Sequence, residues 1–487
     1  MPSSLPPVHP WLKSMTVAFV SGFSHPLADT VLEGLRRQFT ELGHRVEEPG
    51  PDTSVLLTSA PYGQPLDWRE ALLFTARRRF GLGRIPLVFT VVPVAPETFR
   101  DALAHLERAL EREPPDPQDF AFPGLAPTAF RVLVEQGCRG GAILALERVV
   151  QAQVKSVRVV LVVGQERPQE AYLFDLVGGH PRVPAQDASF FYTDLARRIA
   201  TVASTHEVTR HQVVGEPIPQ AVWRCLTTPA AMQRGSRELG RRNFFTPMVH
   251  ISDLVHVPAV EASVSEQYSE GCFATWDPQL NALVTTVTGS ARPVSKEELG
   301  DDDLAVVVGV APDGQGALVR HVEDKRNTPP SSEAVEMILM DIPLPQVQTA
   351  SGFQVPVVRS KLHGHRGVRA FDPRTVEFVP LDASYYHYPV SCATEAQARA
   401  IQAAFSRSQA LGNPGDPRCI IFTILPAHGV VLVEKWVEGR EPFEVLWEAM
   451  DRGGLEIDRK VPQGWVEYCH ADEGRMVIDT TPARGAS

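Results

Sequence analysis

Between Met15 and Arg112 the sequence alternates two hydrophobic patterns, and this alternation restricts the fold more than any single motif does. "MTVAFVSGF" is an apolar run of strand length, and "PLADTVLEGLRRQFTELG" follows with apolar residues at helical spacing and a terminal glycine. Then come strand-like "SVLLTSA", helical "WREALLFTARRRFG", strand-like "IPLVFTVVPV" and helical "PETFRDALAHLERALER". A β-α-β-α-β-α order implies parallel strands joined by crossover helices, hence a doubly wound sheet.

"PPDPQDFAFPGLAP", residues 114–127, reads as a linker or a long surface loop. Beyond it, "RGGAILALERVVQAQVKS" is a helix pattern and "VRVVLVVG" a buried strand. "AYLFDLVGGHPRV" reads as a hairpin, and "SFFYTDLARRIATVAS" and Gln220 to Gly240 as helices. From residue 291 the texture changes to strands. "DLAVVVGVAPDGQGALVRHVED" is a hairpin with an Asp-Gly turn, and "FQVPVVRSKLHG", "TVEFVPLD", "CIIFTILPAHG" and "VVLVEKWVEG" are further strands. Two helices interrupt them, "SSEAVEMILM" and "TEAQARAIQAAFSRSQALG", the second opened by a Thr394/Gln397 capping box. A chain of 487 residues exceeds what one core usually supports. The expected fold is therefore α/β: two doubly wound α/β domains followed by a mixed, strand-rich α+β domain. A tail covers residues 1–14, and the domains 15–127 (linker included), 128–290 and 291–487.

The formal net charge of -11 disfavours nucleic acid as a partner, since phosphate binding needs a basic stripe. No segment approaches the ~20 apolar residues that span a bilayer. The six cysteines are far apart and form no CxxC pair, which argues for reduced thiols and against a zinc ribbon. The expectation is a cytoplasmic protein with a small-molecule substrate and no membrane or nucleic-acid partner. Apolar helical faces in the first two domains suit a homo-oligomer.

The chain lacks GxGxxG after its first strand, and has no GxxxxGK[ST], GxSxG or HExxH. In the first βα turn, "SGFSHPLAD", Ser24 or His25 suits a helix cap, and the turn also lies where open α/β sheets bind ligands. "SEGCFATWDPQLNALVTTVTGS" offers Glu270 and Asp277, which either hold a divalent cation and exchange protons with substrate or are surface carboxylates around a turn. "RHVEDKRNTPPSSEAVEM" places His321 on a strand. Lys325 and Arg326 then precede Ser331 and Ser332 at a helix start, which is either an anion site or a capped helix with a basic lead-in. In "KLHGHRG", His363 and His365 share a strand face near Lys361. That pattern presents two imidazoles to one metal ion, or is the polar face of an edge strand. His387 and His428 are further candidates to complete such a site.

Three stretches, in order, carry a resemblance: "FVSGFSHPLADTVLEGL", "GCRGGAILALERVVQAQVKSVRVVLVVG" and "DLVHVPAVEASVSEQYSEGCFATWDPQLNALVTTV". Their texture and order resemble the L-arabinose and L-fucose isomerase group. The resemblance implies two α/β domains, a strand-rich third, and a manganese-type divalent ion that helps move a carbonyl along a sugar. Of that group's acidic element only Asp277 is matched, because Trp276 precedes it where the pattern differs. His321 falls in a comparable later region.

The combined expectation is a metal-dependent enzyme for a small sugar, polyol or sugar-phosphate-like substrate, with aldose–ketose isomerisation as one form. Glu270, Asp277 and Lys361 would be catalytic. Asp277, His321, His363 and His365 would hold the divalent ion (Mn²⁺ or similar), and Lys325, Arg326, Ser331 and Ser332 the anionic end. The alternatives are a non-catalytic metabolite-binding or assembly protein, and a metal-free transferase using the anion pocket.

Overall fold

The computed structural model describes residues 13–62 without 21 and 51, 87–101, 157–175, 178–179, 183–184, 188–205, 209–247 without 243, 269–288, 296, 298–364, 367–425 without 383, 386–387, 389 and 391–392, and 429–458. Strands β1 (Thr16–Phe19), β2 (Arg45–Val46), β3 (Val55–Ser59), β4 (Leu87–Val94) and β5 (Val157–Gly164) run parallel in the order β2-β1-β3-β4-β5. β6 (Pro168–Asp175) adds antiparallel to β5, and β7 (Gly178–Gly179) and β8 (Val183–Pro184) both pair with β6. Val88 stands opposite Val157 and Val94 opposite Val163. The two sets of strands expected on either side of residue 127 are thus one mixed sheet. The physical reason is β4, buried at every position. Such a strand needs a hydrogen-bonded neighbour on both edges.

Helices α1 (Pro26–Glu41) and α2 (Ala188–Thr205) pack side by side on one face of this sheet. Leu27, Val31 and Leu35 of α1 and Phe191, Leu195 and Ile199 of α2 bury against Val17, Leu57, Phe89 and Val162. Burial of each such side chain contributes about 1.5–3 kcal/mol. His25 is the cap of α1: its Nδ1 accepts the Leu27 N–H at 3.2 Å, with Pro26 in the first turn. The turn before it is docked on β3, where the Phe23 N–H donates to the Ser59 carbonyl at 3.0 Å and the Ser59 hydroxyl to the Phe23 carbonyl at 2.8 Å.

The second sheet has nine strands. They are β9 (Gln212–Val213), β12 (Cys272–Asp277), β13 (Ala282–Thr286), β14 (Leu304–Val310), β15 (Ala317–Arg320), β18 (Val358–Gly364), β20 (Val376–Phe378), β21 (Ile420–Leu425) and β22 (Gly429–Lys435). Small ladders pair β10 (Thr246–Pro247) with β11 (Ser269–Glu270), β16 (Gln346–Gln348) with β17 (Gln354–Pro356), and β19 (Gly367–Ala370) with β23 (Leu455–Asp458). The large sheet runs β20-β21-β22-β18-β12-β13-β14-β15-β9, antiparallel except at its two ends. β12 and β13 lie near its middle, so the domain boundary expected at residue 290 falls inside one sheet.

Helices cover both faces. On one, α3 (Gln220–Cys225), α4 (Thr228–Arg241) and α8 (Glu444–Asp451) bring Trp223, Met232, Leu239 and Leu446 onto Phe273, Val284, Val306 and Leu362. On the other, α5 (Ala334–Leu339), α6 (Glu395–Phe405) and α7 (Gln409–Gly412) bring Met337, Ile401, Phe405 and Leu411 onto Ala274, Leu283, Val307 and Val433. The single helix expected from Gln220 to Gly240 is two, parted at Leu226–Thr227, because Pro229 starts a new first turn. At α6, Thr394 Oγ1 accepts the Gln397 N–H at 3.3 Å, and Gln397 Oε1 accepts the Ala393 N–H at 2.7 Å. Among the described residues no helix is long and apolar enough to cross a membrane.

The start of α8 is held from the sheet. Buried Glu434 on β22 accepts N–H groups of Phe443 at 2.7 Å, Val445 at 2.8 Å and Leu446 at 3.3 Å. A carboxylate there satisfies free N–H groups and complements the helix dipole. Glu434→Ala leaves these donors buried without an acceptor, and is expected to lower stability by about 3 kcal/mol, read as a shifted midpoint in urea unfolding.

Candidate functional site

The site begins with a strand register. β12 and β18 pair antiparallel, with Cys272 opposite His363 and Ala274 opposite Lys361. Alternation sends these four side chains to the α5 side of the sheet. Gly271 makes the register possible. Its φ is +85°, and a Cβ there would come 2.8 Å from the His363 carbonyl oxygen.

α5 supplies the other half. Glu333 stands at the N-cap position without a side-chain cap bond, and Glu336 follows one turn later on the same side. The Cys272 thiol donates to Glu333 Oε2 at 3.5 Å, and His363 Nε2 lies 3.2 Å from Glu333 Oε1. Glu336 is 0% exposed, and neither of its carboxyl oxygens has a hydrogen-bond partner. Two residues along β18, the Lys361 ammonium donates to the Met337 carbonyl and to the Asp341 carboxylate. The Ser331 N–H donates to the Thr286 carbonyl at 3.1 Å. α5 is thus tied to the sheet at both ends, with its two glutamates between the ties.

Burial sets the protonation of the cluster. Burial first, and the Glu333 charge second, hold the Glu336 carboxyl well above the usual range, which favours its protonated form. Burial, then Glu333, also push the Cys272 thiol well up, against the opposing Lys296. The thiol is therefore a neutral donor. Burial lowers Lys361 against the pull of Asp341, and raises Asp341 to about 6 against the pull of Lys361. The Glu333 and Asp341 side chains are 11% and 8% exposed, whereas those of Lys361 and His363 are fully buried.

The expected metal set does not converge. Asp277 is five residues beyond Cys272 on β12, an odd step, so it faces the other side of the sheet and lies roughly 17 Å along the strand. Its Oδ1 accepts the N–H groups of Gln279 and Leu280, both at 2.9 Å, and closes the β12–β13 turn. That use is structural. His321 follows β15, four strands from β18, about 19 Å across the sheet. His363 is the one member inside the cluster. His365, His387 and His428 lie outside the described residues, as does the Glu270 side chain. Among the described residues no group of three or more His, Cys, Asp and Glu is placed to hold a metal ion. Among the described residues, Asp277, His321 and His363 do not come together as the expected manganese-type site.

The expected anion pocket also divides. Lys325 donates to the Leu304 carbonyl and stands 4.6 Å over the Trp223 ring, on the α3 side of the sheet. Arg326 is exposed, and its N–H donates to Asp302 Oδ1 at 3.2 Å. Ser331 belongs instead to the α5 side, where its hydroxyl hydrogen-bonds Cys272. Ser332 stands beside it, half-buried. Lys361 is in the cluster, but its ammonium is committed to Asp341 and Met337.

The members not singled out from the sequence are Cys272, Glu333 and Glu336. A signal existed: Glu336 is the one charge in "AVEMIL", an otherwise apolar run. Comparison of the sequence with protein-family models and with curated proteins finds no match.

Two outcomes test this geometry. Gly271→Ala forces an L residue into a strained conformation against the His363 carbonyl, and is expected to cost roughly 1–3 kcal/mol and to raise the alkylation rate of Cys272 read by peptide mass spectrometry. Burial lowers Lys325 to about 8, against the opposing charges of Asp301, Asp302 and Asp303. Because the unfolded chain binds that proton more tightly, stability rises with pH from about 8 to about 10.5. Denaturant midpoints across that window should show the rise in the wild-type protein and a flatter profile in Lys325→Met.

Proposed function

We propose that the chain is a proton-transfer enzyme for a small hydroxyl- and carbonyl-bearing molecule, with Glu333 as the base and Glu336 as the acid. One observation carries this reading: a buried carboxyl with no hydrogen-bond partner, one helical turn from a second carboxyl that touches both a thiol and an imidazole. Two carboxyls whose surroundings separate their protonation are the usual means of running acid and base chemistry side by side. Burial and the Glu333 charge both favour the protonated form of Glu336. Glu333 is oriented by the Cys272 thiol on one oxygen and His363 on the other. In the proposed step Glu333 takes a proton from the carbon beside a carbonyl, while Glu336 gives its proton to the carbonyl oxygen. No bond to a metal enters this scheme. The resemblance to the sugar isomerase group supports a hydroxycarbonyl compound as the substrate class, since moving a carbonyl along such a chain requires this proton shift.

Incubation in D₂O with a panel of small sugars, hydroxyketones and sugar phosphates tests it. Carbon-bound deuterium should appear in one class of compound, and the exchange rate should fall by about 10²–10⁴-fold in Glu333→Gln and Glu336→Gln. Exchange that persists unchanged in both variants would remove the carboxyl pair from the mechanism.

A further inference from the structure

All six residues of α5 are buried, with the sheet on one side and Ala398 and Ile401 of α6 on the other. Gln402 of α6 donates to the Leu339 carbonyl at 2.8 Å and joins the two helices. Inside this layer Glu336 is 0% exposed, and among the described residues its two oxygens meet no donor. The charged and titratable groups around it are occupied elsewhere. On α5 Glu333 adds a second carboxyl, which meets Cys272 of β12 and His363 of β18. Lys361 of β18 donates to Met337 and Asp341, and on α6 Arg399 pairs with Glu395 at 3.3 Å. Lys296 acts on the Cys272 thiol. Towards β15, Arg320 donates to the Glu216 carbonyl at 2.9 Å and His211 accepts the Ala317 N–H at 3.1 Å. β13 and β14 carry no charged residue.

A protonated Glu336 is uncharged and fits this layer. An ionised one would sit fully buried, with no donor and no bonded cation, one turn from a second carboxyl. The helix around it is too short to hold its own place, and its polar ties to the sheet are the Ser331 N–H and the Lys361 ammonium. Lifting the layer into water therefore competes with keeping the charge inside.

We propose that α5 is a proton-held segment: it stays seated on β12 and β18 while Glu336 is protonated, and lifts with α6 as rising pH removes that proton. The step releases one proton to solvent and breaks the contact of Lys361 with the Met337 carbonyl. Burial and the Glu333 charge raise the Glu336 carboxyl in the seated state, whereas in the lifted state it returns towards its model value of 4.5. The seated state thus binds the proton more tightly, so rising pH favours lifting, by at most about tenfold per pH unit for one proton. Burial lowers Lys361, which opposes the trend. This inference stands apart from the proton-transfer reading, because it needs only the burial of Glu336.

Hydrogen exchange of the full-length protein, followed by mass spectrometry, reads the movement. The window runs from about pH 6.5 to about pH 9, above the value of about 6 to which Asp341 is raised. After correction for intrinsic exchange rates, peptides covering 332–341 and 395–405 should lose protection as pH rises, by up to about tenfold per unit. Peptides covering β21 and β22 should keep theirs. Glu336→Gln should flatten the slope in α5 and α6. Glu336→Met, which removes the carboxyl and keeps the volume, provides a second variant if the first folds poorly.

The proposal is overturned if protection of α5 and α6 is independent of pH in the wild-type protein, or if both variants keep the wild-type slope. It is equally overturned if β21 and β22 lose protection in step with α5, since that marks general unfolding. The expected loss of protection, with no carbon-bound deuterium appearing in any small hydroxycarbonyl compound, would leave this inference standing and remove the proton-transfer reading.

Discussion

The β12–β18 register is the constraint on which the rest of the site depends. With Cys272 opposite His363, the thiol and imidazole share the α5 face, while Phe273 and Leu362 fill the opposite core. A slip of one residue would exchange the two sets, placing aromatic and aliphatic bulk under α5 and polar groups against Trp223 and Leu446. Gly271 guards this register from within the chain. Its positive φ and the proximity of the His363 carbonyl admit no side chain at the point where β12 begins. The site is therefore specified by packing on both faces of the sheet at once.

The treatment of buried charge elsewhere in the same half of the molecule makes Glu336 unusual. Glu434 receives three backbone N–H groups at the start of α8. Lys435 donates to the carbonyls of Asn413, Pro414 and Asp416 at 3.1, 3.2 and 2.9 Å. Half-buried Glu377 accepts from the Ser408 hydroxyl at 2.6 Å and from the Gln409 and Ala410 N–H groups. Lys361 has Asp341 and a carbonyl. A fold that satisfies these groups so fully can satisfy a carboxyl, and an unpartnered buried polar group costs about 1–3 kcal/mol. Strain or unmet polarity of this kind concentrates where function needs it.

Local pattern made the elements legible, and tertiary pairing made the sheets illegible. The strand runs at Thr16, Val55, Leu87 and Val157, the helices at Pro26 and Ala188, and the β14–β15 hairpin all follow periodicity and turn chemistry that a few residues carry. A nearly all-apolar run such as "LVFTVVPV" says that a strand is buried on both faces but not which strand lies beside it. Two separate sheets and one continuous sheet therefore read alike. Asp277 misled for a related reason. A carboxylate after a strand and before a proline looks the same whether it faces a cavity or folds back on its own turn N–H groups, and only the pairing of β12 with β13 distinguishes the two. In "KLHG" the alternation of Lys361 and His363 is readable, whereas their partners come from a helix some 25 residues earlier in the chain.

The length of α5 bears on how its two glutamates are placed. Six residues make under two turns, too short to be stable alone. Its position comes from outside: the Ser331 N–H on β13, the Lys361 ammonium at its far end, and the apolar contacts of Met337 and Ile338 beneath α6. Glu333 stands at the end nearer solvent and Glu336 one turn inward, so a single short element carries its two carboxyls across a gradient of burial. Burial at the inner end, with the Glu333 charge beside it, holds the Glu336 carboxyl well above the usual range. A longer, freely exposed helix would bring Glu336 back toward the ordinary carboxylate range.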